Sequence, residues 1–218
     1  MKTFSEKRKI SGFTLLEVLV VLGILFLLAA MLMPVSNRRV KAIMPQCLSH
    51  LKQIELGLQM YMDDNHGKSP AQLSMTNGFT LDWINRGKVF PHFQKLSPYL
   101  SRNPGLLICP ADVEKQAATN FETLNDSNIS YFLNLDVSTN QPERALVAGD
   151  RNLEALNQPV RPGLFELTTN VYGRMRWADS LHKRRGCLVF EDGHAAVNIN
   201  LNAVIQDQPL ATNRLCVP

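Results

Sequence analysis

The residues of this chain with chemistry to offer are few and widely spaced. His182 is followed by nine residues and then Asp192-Gly193, with His194 directly after. Two imidazoles and a carboxylate form a ligand set that suits zinc, and Asp150 and Asp179 are further acids for such a site. A divalent metal on His182, Asp192 and His194 has no tight ligand spacing to support it. The expected arrangement therefore gives Asp192-Gly193 to a hairpin turn and makes His182 a hydrogen-bond partner that fixes the loop before the strand. Asp136 and Asp150 are a further candidate pair, for calcium. The four cysteines, Cys47, Cys109, Cys187 and Cys216, contain no C-x-x-C pair, which excludes zinc-ribbon and thioredoxin-like readings. Outside the cytoplasm they allow one or two disulfides. Cys47 is the most attractive partner for Cys109, and that bridge would contribute roughly 3–5 kcal/mol by closing a long loop. No nucleophile motif, phosphate-binding glycine loop or HExxH is present. The expectation is a protein that is not an enzyme and has no cofactor.

One acid stands apart. Glu17 lies inside "SGFTLLEVLVVLGILFLLAAMLMP", Ser11 to Pro34. From Phe13 to Met33 this run is long enough, at about 31 Å of helix, to cross a bilayer core. A carboxylate at mid-membrane costs on the order of 2.5–3.5 kcal/mol, and less near an interface. One reading places Thr14-Leu15-Leu16-Glu17 as a capping box near the headgroups. A compatible second reading starts from a cut between Gly12 and Phe13. Glu17, one turn beyond the new amine, would then be an anion in need of a cation from a neighbouring subunit.

The elements that must carry these residues follow from the rest of the chain. Of the net +4, residues 1–12 hold +3, through Lys2, Lys7, Arg8 and Lys9 against Glu6, which leaves +1 for the remainder. No basic surface argues for nucleic acid. The basic leader places residues 1–12 in the cytoplasm and the chain after Pro34 outside. A secretory signal peptide cleaved after Ala29-Ala30 would have a shorter apolar core. Beyond it, Cys47, Leu51, Ile54, Leu58 and Tyr61 recur at steps of three and four. That spacing predicts a helix from about Phe13 to about Asp64, interrupted near Pro34 and Pro45, with an apolar stripe laid on a sheet.

"GFTLLEVLVVLGIL" closely resembles the amino-terminal signature of type IV prepilins and type II secretion pseudopilins. The resemblance implies cleavage by a prepilin peptidase between Gly12 and Phe13, N-methylation of Phe13, and Glu17 as the carboxylate that registers subunits in a filament. It implies an inner-membrane, single-pass protein with a cytoplasmic N-terminus and an extracytoplasmic globular part. Its partners would be further copies of itself, other pseudopilins and inner-membrane secretion components. The segment from His182 to Asp192-Gly193 resembles the H-X9-DG segment of a large prepilin-like family, and "CLSHLKQIELGLQMYMDDN", "CPAD" and "GDRN" are similar to other segments of it.

The expected organisation is a leader over 1–12, a membrane helix over 13–35, an amphipathic helix over 36–66, and a pilin-like α+β domain with a small antiparallel sheet over 67–218. Short helices are expected over Leu81–Asn85 and His92–Leu100, and strands in "ISYFLNL", "RALVAGD", "GLFELTT" and "CLVFEDGHAAVNI". With a two-residue Asp-Gly loop, Phe190 faces Ala195 and Leu188 faces Val197, so Leu188, Phe190, Ala195, Val197 and Ile199 share a core face. The expected function is structural, as a subunit of a secretion pseudopilus or type IV pilus. The runner-up is a membrane-anchored extracytoplasmic metal-binding protein or hydrolase.

Overall fold

The computed structural model describes residues 14–32, 38–73, 81–137, 145–197, 200–206 and 213–218. The chain divides into two compact units, residues 1–39 and 40–218. Gly12, Phe13, Pro34 and Ile199, which carried expectations above, lie outside the described residues.

The described part of the first unit is dominated by helix α1, Leu15–Leu32. Leu, Val, Ile, Phe and Ala run around all its sides, so it has no polar face to give to water. Its large side chains from Leu15 to Leu28 are between about half and four-fifths exposed. Among the described residues no helix is long and apolar enough to cross a membrane. The 18 residues of α1 span about 27 Å, just short of a hydrocarbon core of about 30 Å.

The second unit is α+β. Helix α2, Arg38–Asp64, runs through Pro45 without interruption. This corrects the expected break there. Cys47, Leu51, Ile54, Leu58 and Tyr61 are all buried, as their spacing requires. Short helices α3, Leu81–Asn85, and α4, Phe90–Leu96, follow. Strands β1, Tyr131–Asn134, and β2, Leu146–Asp150, pair with each other. Then come β3, Leu153–Ala155; β4, Gln158–Pro159; β5, Gly163–Leu167; β6, Met175–Trp177; β7, Cys187–Phe190; and β8, Ala195–Val197. Helix α5, Leu201–Gln206, and strand β9, Asn213–Val217, complete the unit.

Six strands form one antiparallel sheet in the order β5-β9-β1-β2-β7-β8, and β4-β3-β6 form a second. The central strands of the large sheet, β1, β2 and β7, are buried on both faces. Tyr131, Leu133, Ala148, Cys187 and Val189 join the stripe of α2 in one core. Phe132, Leu146, Leu188 and Phe190 join Trp177 and α5 in another. Strands covered on both sides read as continuous apolar runs rather than alternations. A register shift between Leu146 and Ala148 marks a bulge in β2. Val147 and Ala148 consequently both join the helix-side core.

The hairpin of β7 and β8 corrects one expectation. Val189 pairs with Ala195, Leu188 with Ala196 and Cys187 with Val197. The loop has three residues, Glu191 to Gly193, closed by the Phe190 N–H on the His194 carbonyl at 2.9 Å. Gly193 takes the left-handed conformation, φ 73°, as the last of the three. That one extra residue turns every β8 side chain to the opposite face. Ala195 and Val197 therefore lie with Val189 on the side of α2, while Leu188, Phe190 and Ala196 lie on the other.

Candidate functional site

At the N-terminus of α1, Thr14 and Glu17 cap the helix reciprocally. The Thr14 N–H donates to Glu17 Oε2 at 2.9 Å, the Thr14 hydroxyl donates to the same oxygen at 3.0 Å, and the Glu17 N–H donates to Thr14 Oγ1 at 3.3 Å. This is the capping box expected from the spacing. Glu17 is exposed, and among the described residues only its Oε2 is engaged, by Thr14.

In the second unit, the segments singled out by sequence meet at one place. Cys47 comes from α2, Cys109 from the loop after a 3-10 turn at Pro104–Leu107, Asp150 from the end of β2 and Cys187 from the start of β7. His182 comes from the loop between β6 and β7. Sulfur and nitrogen ligand atoms of Cys47, Cys109 and His182 all lie within 4.8 Å of one another, and so do those of Asp150, His182 and Cys187. Cys109 Sγ is 3.1 Å from His182 Nε2, and the same nitrogen is 3.6 Å from Asp150 Oδ2. The Cys187 N–H donates to Asp150 Oδ2 at 2.7 Å. Tyr131, directly across from Asp150 in the β1–β2 ladder, is fully buried beside them.

The loop that presents His182 is held against its own preference. His182, Lys183 and Arg184 have φ of 49°, 53° and 60°, and each left-handed non-glycine residue costs about 1–2 kcal/mol. Asn152 holds it in place. Its amide donates to the carbonyls of Ala178, Leu181 and Arg185 at 3.0, 3.1 and 3.0 Å. Next to it, Arg151 makes a two-pronged pair with Asp112, at 2.7 and 2.9 Å. The "GDRN" segment thereby ties "CPAD" to the His182 loop, and His50 ties α2 to the same place through the Ile108 carbonyl, 3.1 Å away.

Burial dominates the electrostatics. It raises the Asp150 carboxyl to about 6, against the pull of His182 and the Cys187 N–H. The Cys47 thiol and burial push Cys109 up, and burial pushes Cys187 up. Burial lowers His182, but its contact with Cys109 and the Asp150 charge outweigh this and leave it above its ordinary value. The two members of the His182–Asp150 pair thus pull toward opposite charge states. Burial governs the pair, because the Asp150 carboxylate is wholly buried and its Oδ1 has no hydrogen-bond partner. Asp112 is driven up by burial yet held below its ordinary value by the Arg151 guanidinium and Ser130.

The predicted site residues divide between two places. His182 lies in the buried cluster, with Cys47 and Cys109 brought beside it as free thiols. Asp192, Gly193 and His194 lie at the β7–β8 turn, where the His194 N–H donates to Asp192 Oδ1 at 2.8 Å and the His194 ring stacks on Phe190. Neither Asp192 nor His194 belongs to a metal-sized cluster with His182 among the described residues. Asp136 is committed to Arg214. Sequence reasoning gave no site role to Tyr131 or Asn152, and met Cys187 only as one of four cysteines open to disulfides. The signal was present in part, since "GDRN" places an acid and an amide together at a strand end.

The family described as the prokaryotic N-terminal methylation motif matches residues 7–33. Over 62 residues, 28% of this chain, the sequence is 42% identical to "Type II secretion system core protein G" of Aeromonas hydrophila. The chain spans 43% of the length of that relative. No solved structure matches the chain.

Proposed function

We propose that this protein is a structural subunit, pseudopilin-like or type IV pilin-like, of a type II secretion-like pseudopilus or a type IV pilus. The observation that carries the reading is the methylation motif over residues 7–33, on a helix whose apolar side chains are exposed all round. A surface of that kind is stable only in lipid or against other apolar helices. The similarity to a secretion core protein supports the same assignment.

In this reading a prepilin peptidase cuts between Gly12 and Phe13 and Phe13 is methylated. The apolar run from Phe13 to Met33 holds the precursor in the inner membrane as a single span, with the leader in the cytoplasm and the second unit outside. During assembly, contacts between α1 helices replace contacts with lipid. Glu17 then accepts the terminal amine of a neighbouring Phe13, while its bonds to Thr14 hold the carboxylate in position. Kinship with the H-X9-DG prepilin-like proteins is supported by the meeting of "CLSH", "CPAD", "GDRN" and His182 around one cluster. The partners would be the peptidase, further copies of this chain, other pseudopilins and inner-membrane secretion components.

Intact mass and amino-terminal sequencing of the protein from its native membrane test this directly. A chain beginning at N-methyl-Phe13 is expected. A chain beginning at Met1, or after Ala30, would overturn the reading. Glu17→Ala should leave membrane insertion intact and reduce filament yield, and an undiminished yield would remove Glu17 from the assembly step.

A further inference from the structure

We propose that the buried cluster of Cys47, Cys109 and His182 is a binding site for a soft divalent cation, zinc by its donor chemistry, with the Asp150 carboxylate beside His182 as the candidate fourth ligand. The site is independent of how the N-terminus is processed.

Three observations carry the inference. The first is the donor set. Two thiols and an imidazole, drawn from α2, the Cys109 loop and the His182 loop, have ligand atoms within 4.8 Å of one another. Tetrahedral zinc, with bonds of about 2.3 Å to sulfur and 2.0 Å to nitrogen, places its ligand atoms about 3.5 Å apart. Cys109 Sγ and His182 Nε2, at 3.1 Å, are already near that spacing, so sub-ångström shifts of the side chains would suffice. Thiolate with imidazole selects zinc over calcium or magnesium, which take oxygen.

The second observation is an unsatisfied acid. Asp150 is wholly buried, and its Oδ1 has no hydrogen-bond partner. Its other oxygen points to the same His182 nitrogen that would bind the ion. Buried carboxylates are ordinarily paired or bound to a metal. The protein's own groups give Asp150 the Cys187 backbone N–H, the Cys187 thiol and an imidazole at 3.6 Å, and leave Oδ1 without a hydrogen-bond partner.

The third is placement. Cys47, Cys109 and Cys187 are all fully buried inside the apolar core under α2. The His182 loop is held in a run of left-handed residues by three bonds from Asn152. Strain of this kind persists where surrounding structure fixes it, and here it fixes an imidazole against two thiols.

Binding balances simply. A zinc dication displaces one proton from each of the Cys47 and Cys109 thiols, forms two Zn–S bonds and accepts the His182 Nε2 lone pair. Two protons leave to solvent, and no oxidant or reductant is consumed. The ion would clip α2, the Cys109 loop and the His182 loop together.

The test uses the full chain extracted from its native membrane in detergent without chelator. The probe is zinc alone, followed by buffer exchange and elemental analysis. One zinc per chain is expected, with Cys47 and Cys109 resistant to alkylation until a chelator is added. Cobalt in place of zinc should give a thiolate charge-transfer absorption. Cys109→Ser and His182→Gln should each weaken retention by about tenfold or more. The alkylation and cobalt readouts need no variant, so a variant that fails to fold leaves the test intact. An intact mass lighter by two hydrogens under non-reducing conditions, with Cys47 joined to Cys109, would overturn the proposal. So would four alkylatable thiols with no zinc retained.

Discussion

Replacing Glu55 by glutamine should stabilise the protein above neutral pH and leave it unchanged in acid. Glu55 sits on the inner face of α2 between Ile54 and Leu58 and is only 4% exposed. Its Oε1 has no hydrogen-bond partner. The β7–β8 turn closes over it, bringing Asp192 and Glu191 near, while Gln59 of the same helix opposes their effect by hydrogen bonding. Burial first, and the Asp192 charge second, raise its carboxyl from 4.5 to about 7. The sign follows from proton counting. Between those two values the folded state binds the proton and the unfolded state has released it, so stability falls as pH rises. The contribution is complete below about 4.5, is lost progressively on the way to about 7, and stays lost above. A shift of that size corresponds to about 3 kcal/mol at most, and allowing for solvent near the turn leaves about 2 kcal/mol. For a unit of this size that is roughly 4–8 °C in Tm. The assay is urea or thermal unfolding of the full chain in detergent, followed by the fluorescence of Trp83 and Trp177, at pH 4 and pH 8. Glu55→Gln should match the parent at pH 4 and exceed it at pH 8. An equal difference at both pH values, or a loss of stability at pH 8, would refute the reasoning.

Two further outcomes are expected by the same measurement. A methyl group added at Gly186 would lie 2.4–2.5 Å from the ring carbons of Trp177. Gly186→Ala should therefore cost about 1–3 kcal/mol and shift the Trp177 emission; an unchanged Tm and spectrum would show that the ring moves aside freely. Arg151→Ala should cost about 3 kcal/mol, because it strands the buried Asp112 carboxylate. Adding Asp112→Asn should recover part of that loss, and a double variant no better than the single would place the cost elsewhere.

The parts of the fold that were legible are those whose signal is local. The stripe from Cys47 to Tyr61 needed only its spacing, and every member is buried. The Asp192-Gly193 turn was visible, but its register was not. Gly193 takes positive φ in either a two-residue or a three-residue loop; the difference lies at Asp192, which a two-residue loop would also make left-handed and which is not left-handed here. Strand β9 gave no usable signal. Its place between β5 and β1 is fixed by pairings of Leu133 with Cys216 and Leu164 with Cys216 that no local pattern encodes.

The same distinction explains why His182, Asp192 and His194, grouped as weak metal candidates by their places in the chain, do not meet in the fold. Asp192 and His194 stand close to each other along the chain and ten or more positions from His182, and proximity in sequence drew them into one set. The fold instead uses β7 to separate them: Cys187, at its start, lies with His182 and Asp150, while Asp192 lies beyond its end, over Glu55. The partners His182 does meet come from 73 residues away in Cys109 and from helix α2 in Cys47. What brings them together is the pair of tethers from "GDRN", Arg151 to the Cys109 loop and Asn152 to the His182 loop, directly after one bulged strand. The motifs that looked separate in the sequence are thus parts of one construction, with Asp150 at its centre.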